Sequence, residues 1–85
     1  MIKITKNLLE ALDWKRVESN GIYLNVYKSP NKRYEISYKE YAKLCDETGF
    51  GWILHIYNSR HESLGVCCVE YIEQIEALIE IYKDY

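Results

Sequence analysis

The sequence predicts an α+β fold: an antiparallel meander of four or five strands with an N-terminal and a C-terminal helix packed on one face. Three observations predict it. Apolar residues recur every second position through the middle of the chain, the recurrence changes to 3.6 residues after Tyr71, and short turn signals separate the period-two runs. Connections this short join antiparallel neighbours, because a parallel pair needs a crossover of about a dozen residues or more. At 85 residues the chain has room for one core, so residues 1–85 are expected to form a single domain.

The first helix is marked by Thr5, an N-cap residue whose hydroxyl can accept an otherwise orphaned backbone N–H. Ile4 and Leu9 have the spacing of a hydrophobic staple, and Leu8, Leu9 and Leu12 form one apolar stripe that stops near Asp13. Then WKRVES and IYLNVYK flank Asn20-Gly21, the residue pair that favours a tight hairpin turn with positive φ. Ser29-Pro30-Asn31-Lys32 marks a second turn. Beyond it Tyr34, Ile36 and Tyr38 alternate with Arg33, Glu35 and Ser37, which predicts a strand.

Residues 39–50 read two ways. Ser37 and Glu40 could form a capping box for a short helix carrying Tyr41, Ala42 and Cys45, whereas Asp46 to Gly49 suits a hairpin turn between extended segments. The extended reading is preferred. WILHIY then predicts a strand with Trp52, Leu54 and Ile56 on one face. LGVCCVEY predicts another with Leu64, Val66 and Cys68 toward the core, leaving Cys67 on the far side. Ile72, Ile75, Leu78, Ile79 and Tyr82 line one side of the closing helix.

Chemical motifs are sparse. Cys45, Cys67 and Cys68 make an odd count; Cys67 and Cys68, neighbours on a strand, point to opposite faces and do not readily bond to each other, and a Cys45 bridge to either is geometrically possible but disfavoured in a reducing cytoplasm, so the thiols are expected to pack as small hydrophobes. His55 and His61 lack metal-ligand spacing, and no glycine-rich phosphate loop is present, so neither metal nor cofactor is expected. A Cys67 nucleophile with His55 or His61 as base is the enzymatic alternative, against a leading expectation of no catalysis. No apolar run reaches the roughly 20 residues that span a bilayer, and a cytoplasmic location is expected, with no membrane partner.

Charge is polarised. Residues 1–45 hold nine Lys/Arg against five acids, a net of +4, and residues 46–85 hold two against eight, a net of −6. Glu73, Glu76, Glu80 and Asp84 step by three, four and four along the closing helix and form an acidic ridge opposite its apolar stripe. Like charges at these spacings repel, and acids in a last turn oppose the helix dipole. Such departures from local consistency concentrate at functional positions, which makes the ridge a candidate contact for a basic protein partner. Nine tyrosines supply a second candidate: Tyr23, Tyr27 and Tyr57 are expected on the sheet face away from the helices. Sheet tyrosines could also stack single-stranded bases, although a net charge of −2 disfavours nucleic acid.

The opening ITKNLLEALDWKRV, the hairpin and strands that follow, and a closing strand running into VEYIEQIEALIEIY resemble small uncharacterised α+β proteins of phages and mobile elements of gut anaerobes. Such proteins often carry a glycine at the end of the first helix, where this chain has Asp13. The resemblance implies the fold and a mobile-element origin, and it transfers no catalytic residue. Together with the ridge it suggests a non-catalytic, stoichiometric inhibitor that occludes a basic, nucleic-acid-binding host defence protein, located in the host cytoplasm. The alternative of the same class is a homodimeric structural or adaptor protein assembled through an exposed edge strand or the tyrosine face.

Overall fold

The computed structural model describes residues 1–17, 24–39 and 51–85. Helix α1 (Lys6–Ala11) is followed by strands β1 (Lys15–Val17), β2 (Leu24–Lys28), β3 (Tyr34–Lys39), β4 (Gly51–Tyr57) and β5 (Ser63–Val69), then helix α2 (Ile72–Tyr82). All five strands are antiparallel in the spatial order β1-β2-β3-β4-β5, so the meander of the α+β fold is five-stranded. The Asn20-Gly21 turn and the strand-or-helix choice for residues 40–50 lie outside the described residues.

Thr5 caps α1 by accepting the Leu8 N–H at 3.1 Å, and the staple residues Ile4 and Leu9 are both buried. The helix closes as a Schellman motif: Trp14 N–H donates to Leu9 O at 3.0 Å and Asp13 N–H to Glu10 O at 3.1 Å. Asp13 takes the left-handed position at φ 65°, which glycine occupies without strain. Asp13→Gly is therefore expected to raise stability by about 0.5–1 kcal/mol, read from the thermal midpoint. A lowered midpoint would show that the aspartate contributes more than its backbone strain costs.

The second turn is built by Asn31, whose Oδ1 accepts from Ser29 Oγ at 2.8 Å and from Arg33 N–H at 3.0 Å, while Lys32 N–H donates to Ser29 O at 2.9 Å. Two irregularities bend the sheet. Register shifts between Leu24 and Tyr27, where Asn25 adopts φ 51°, and again between Ile56 and Tyr57 opposite β5.

One face of the sheet carries the main core. Tyr27, Tyr34, Ile36, Trp52, Leu54, Ile56 and Val69 pack there with Leu9 and Trp14 from the α1 end and with Ile72 and Ile75 of α2. The stripe of α2 continues through Leu78, Ile79 and Tyr82, partly buried against the same cluster. Residues 2–4 fasten α2 from outside: Ile4 N–H donates to Glu70 O at 3.0 Å and Ile72 N–H to Ile2 O at 2.8 Å. The start of α2 is satisfied by Gln74, whose Oε1 accepts from the Glu70 and Tyr71 N–H groups at 2.7 and 2.9 Å.

Leu64 packs against the core as expected, but the second register shift overturns the expected orientation of the rest of β5. Leu54 lies opposite Cys67 and Ile53 opposite Cys68, so Cys67 and Val69 face the helices while Val66 and Cys68 face the other way. A one-residue bulge reverses every side chain beyond it, and no alternation in the sequence reveals where it falls.

Candidate interaction surface

Helix α2 places its apolar stripe on the sheet, which sends the intervening positions to solvent. The four acids of the predicted ridge separate into different roles there. Glu73 is half-buried in the first turn, and its carboxylate accepts the Ile2 N–H at 2.6 and 3.2 Å. An acid is favourable at that end of a helix, so Glu73 holds the N-terminal segment and leaves the ridge. Glu80 accepts from Lys83 Nζ at 2.7 Å in an exposed i,i+3 pair, which contributes a few tenths of a kcal/mol. Glu76 and Asp84 are exposed and make no hydrogen bond or ion pair among the described residues.

Beside these three acids runs a feature that the charge pattern alone did not bring out. Ala77 and Ile81 lie one position on from Glu76 and Glu80, and Tyr85 follows in the closing turn. Ile81 is 61% exposed and Tyr85 59% exposed, with the Tyr85 ring edge-on to Tyr82 at 5.4 Å. A second, shorter apolar row at Ala77 and Ile81, outside the core-facing stripe, is the sequence signal for it. This surface combines carboxylates with apolar contact area.

The end of α2 is held by Arg33 in the turn before β3. Its guanidinium donates to Lys83 O at 3.0 Å, Tyr82 O at 2.8 Å and Tyr57 O at 3.1 Å, and lies 5.6 Å from the centre of the Tyr34 ring. These bonds satisfy terminal carbonyls and set a cation at the negative end of the helix dipole. They offset the acids that crowd the same turn.

The tyrosine face is not assembled as expected. Tyr27 is only 2% exposed and packs in the main core, because the bulge in β2 turns it to the helix side; it is no surface residue. Tyr57 is half-buried near Glu35, and burial, followed by the charge of Glu35, raises its hydroxyl pKa above the ordinary tyrosine value. Tyr23 lies outside the described residues. Base stacking on the sheet thus loses Tyr27.

The sheet also separates the residues of the enzymatic alternative. Cys67 faces the helices, whereas His55, opposite Val66, faces away, and His61 sits exposed in a turn at φ 63°. Cys68 is disulfide-bonded and Cys67 carries a free thiol, which corrects the expectation of unbridged cysteines. That expectation rested on an assumed reducing compartment and not on geometry. Alkylation under denaturing conditions should therefore label Cys67 without reductant and Cys68 only after reduction; labelling of both without reductant would contradict the bridge.

Among the described residues no group of three or more His, Cys, Asp or Glu side chains could hold a metal ion, and no helix is long and apolar enough to cross a membrane. No protein family, curated protein or solved structure matches the chain.

Proposed function

We propose that this chain is a non-catalytic protein-binding module that engages a basic partner through the outward face of α2. The supporting observation is the pairing of Glu76, Glu80 and Asp84 with the neighbouring exposed Ala77, Ile81 and Tyr85. Carboxylates steer a cationic partner and set its register, and the apolar residues supply area that leaves water on contact. In the form suggested by the likeness to mobile-element proteins, the partner is a nucleic-acid-binding host protein whose basic surface the module occludes. The cytoplasmic location belongs to the same proposal, and the bridge at Cys68 weighs against it.

The test uses tagged chain to capture partners from host lysate, followed by titration of the purified partner at low and high salt. Glu76→Gln/Glu80→Gln should weaken binding on the order of tenfold and flatten its salt dependence. Folding stability should stay within about 0.5 kcal/mol, since relief of the Glu76–Glu80 repulsion offsets loss of the exposed Glu80–Lys83 pair. Unchanged affinity across the salt range would remove α2 from the interface.

A further inference from the structure

We propose that residues 1–3 form an autoinhibitory strap that withholds Glu73 from the binding face of α2, and that release of the strap extends that face by one carboxylate. This regulation rests on the reading of α2 as the face that meets a basic partner. Glu73, Glu76, Glu80 and Asp84 step along α2 by three, four and four residues, so a freed Glu73 continues the acidic row about 4.5 Å toward the helix start. With the strap docked, that carboxylate is occupied. It accepts the Ile2 N–H at 2.6 and 3.2 Å, and a hydrogen bond to a charged acceptor is stronger than a neutral one. Glu73 is half-buried there, whereas Glu76, one step along the row, is exposed.

The strap is fixed at one end only. Ile4 is 5% exposed and belongs to the core, and its N–H donates to Glu70 O at 3.0 Å. Before that anchor the side chains stand in solvent: Met1 is 88% and Ile2 59% exposed, and Lys3 meets Glu70 at 3.7 Å in an exposed pair. What ties residues 1–3 to α2 is backbone bonding, the Ile2 N–H on Glu73 and the Ile72 N–H on Ile2 O at 2.8 Å, beside the bridge of Lys3 with Tyr71. A segment with exposed hydrogen bonds and no buried apolar side chain opens at a fraction of the cost of global unfolding. Opening about Ile4 keeps the core staple, and Gln74 still accepts the Glu70 and Tyr71 N–H groups. A partner that uses Glu73 binds only the strap-open chain, so docking lowers its affinity and release raises it.

Ile2→Pro is the test, because it removes the N–H that occupies Glu73, keeps a carbonyl for Ile72 and changes only an exposed side chain. Calorimetric titration with a lysine- and leucine-rich amphipathic helical peptide at low salt should show about threefold tighter binding to Ile2→Pro than to wild type, and adding Glu73→Gln should abolish the gain. Two readouts do not depend on that variant. In the wild-type background Glu73→Gln should leave peptide affinity unchanged, whereas Glu76→Gln should weaken it. Native-state hydrogen exchange should find the Ile72 amide, bonded to the strap, on the order of tenfold faster than the Ile4 amide, bonded beyond it. Equal affinity of wild type and Ile2→Pro overturns the strap and leaves the α2 reading intact, as does weaker binding by Glu73→Gln alone or equal exchange at Ile72 and Ile4. Absence of binding to both wild type and Ile2→Pro overturns the α2 reading and the strap with it.

Discussion

Arg33→Ala should lower folding stability by about 3 kcal/mol, far more than the removal of an ordinary surface arginine. The guanidinium joins three parts of the fold through hydrogen bonds to Tyr57 O, Tyr82 O and Lys83 O, and a hydrogen bond to a charged group contributes about 1.5–3 kcal/mol, with incomplete additivity. Its loss leaves the last carbonyls of α2 without their cation while Glu80 and Asp84 remain. Lysine should recover only a minor part, because an ammonium cannot reproduce the planar fork that reaches three carbonyls. Urea denaturation of wild type, Arg33→Ala and Arg33→Lys measures this. A loss below about 1 kcal/mol would mean that water replaces those bonds at little cost.

Tyr27→Ala should cost about 3–5 kcal/mol, the range for truncating a buried aromatic, whereas Tyr57→Ala should cost less than half as much. The pair separates the two readings of these tyrosines. If both belonged to an exposed binding face, both substitutions would be close to neutral for folding and would act on partner affinity. Thermal or urea unfolding of the two variants decides it, and equal small losses would contradict the burial of Tyr27.

Where local chemistry decides the structure, the sequence was informative. Thr5, the Ile4–Leu9 staple and the end of α1 near Asp13 all appear as read, as do the alternation of Tyr34, Ile36 and Tyr38 and the apolar stripe of α2. Each depends on contacts or periods within a few residues. Bulges do not: Tyr27 and the Cys67–Cys68 pair were assigned to the wrong faces because an extra residue in a ladder is set by the partner strand, and the sequence of one strand carries no mark of it. The ridge was legible as a spacing of acids. That Glu73 would be drawn off by the Ile2 N–H was not, since the contact joins residues 71 positions apart. Arg33 was seen only as one half of an alternation, although its three carbonyl partners make it the main tie between the turn before β3, the end of β4 and the end of α2.

The most direct measurement of the proposed binding face is a two-dimensional ¹⁵N NMR titration of the labelled chain with a designed lysine- and leucine-rich amphipathic helical peptide. Shift changes should concentrate at Glu76, Ala77, Glu80, Ile81, Asp84 and Tyr85, leave Glu73 and the β1 edge unmoved, and fade as salt is raised. Shifts scattered over the sheet, shifts centred on Tyr57, or no saturable response at low salt would contradict the assignment of α2 as the face that meets a basic partner.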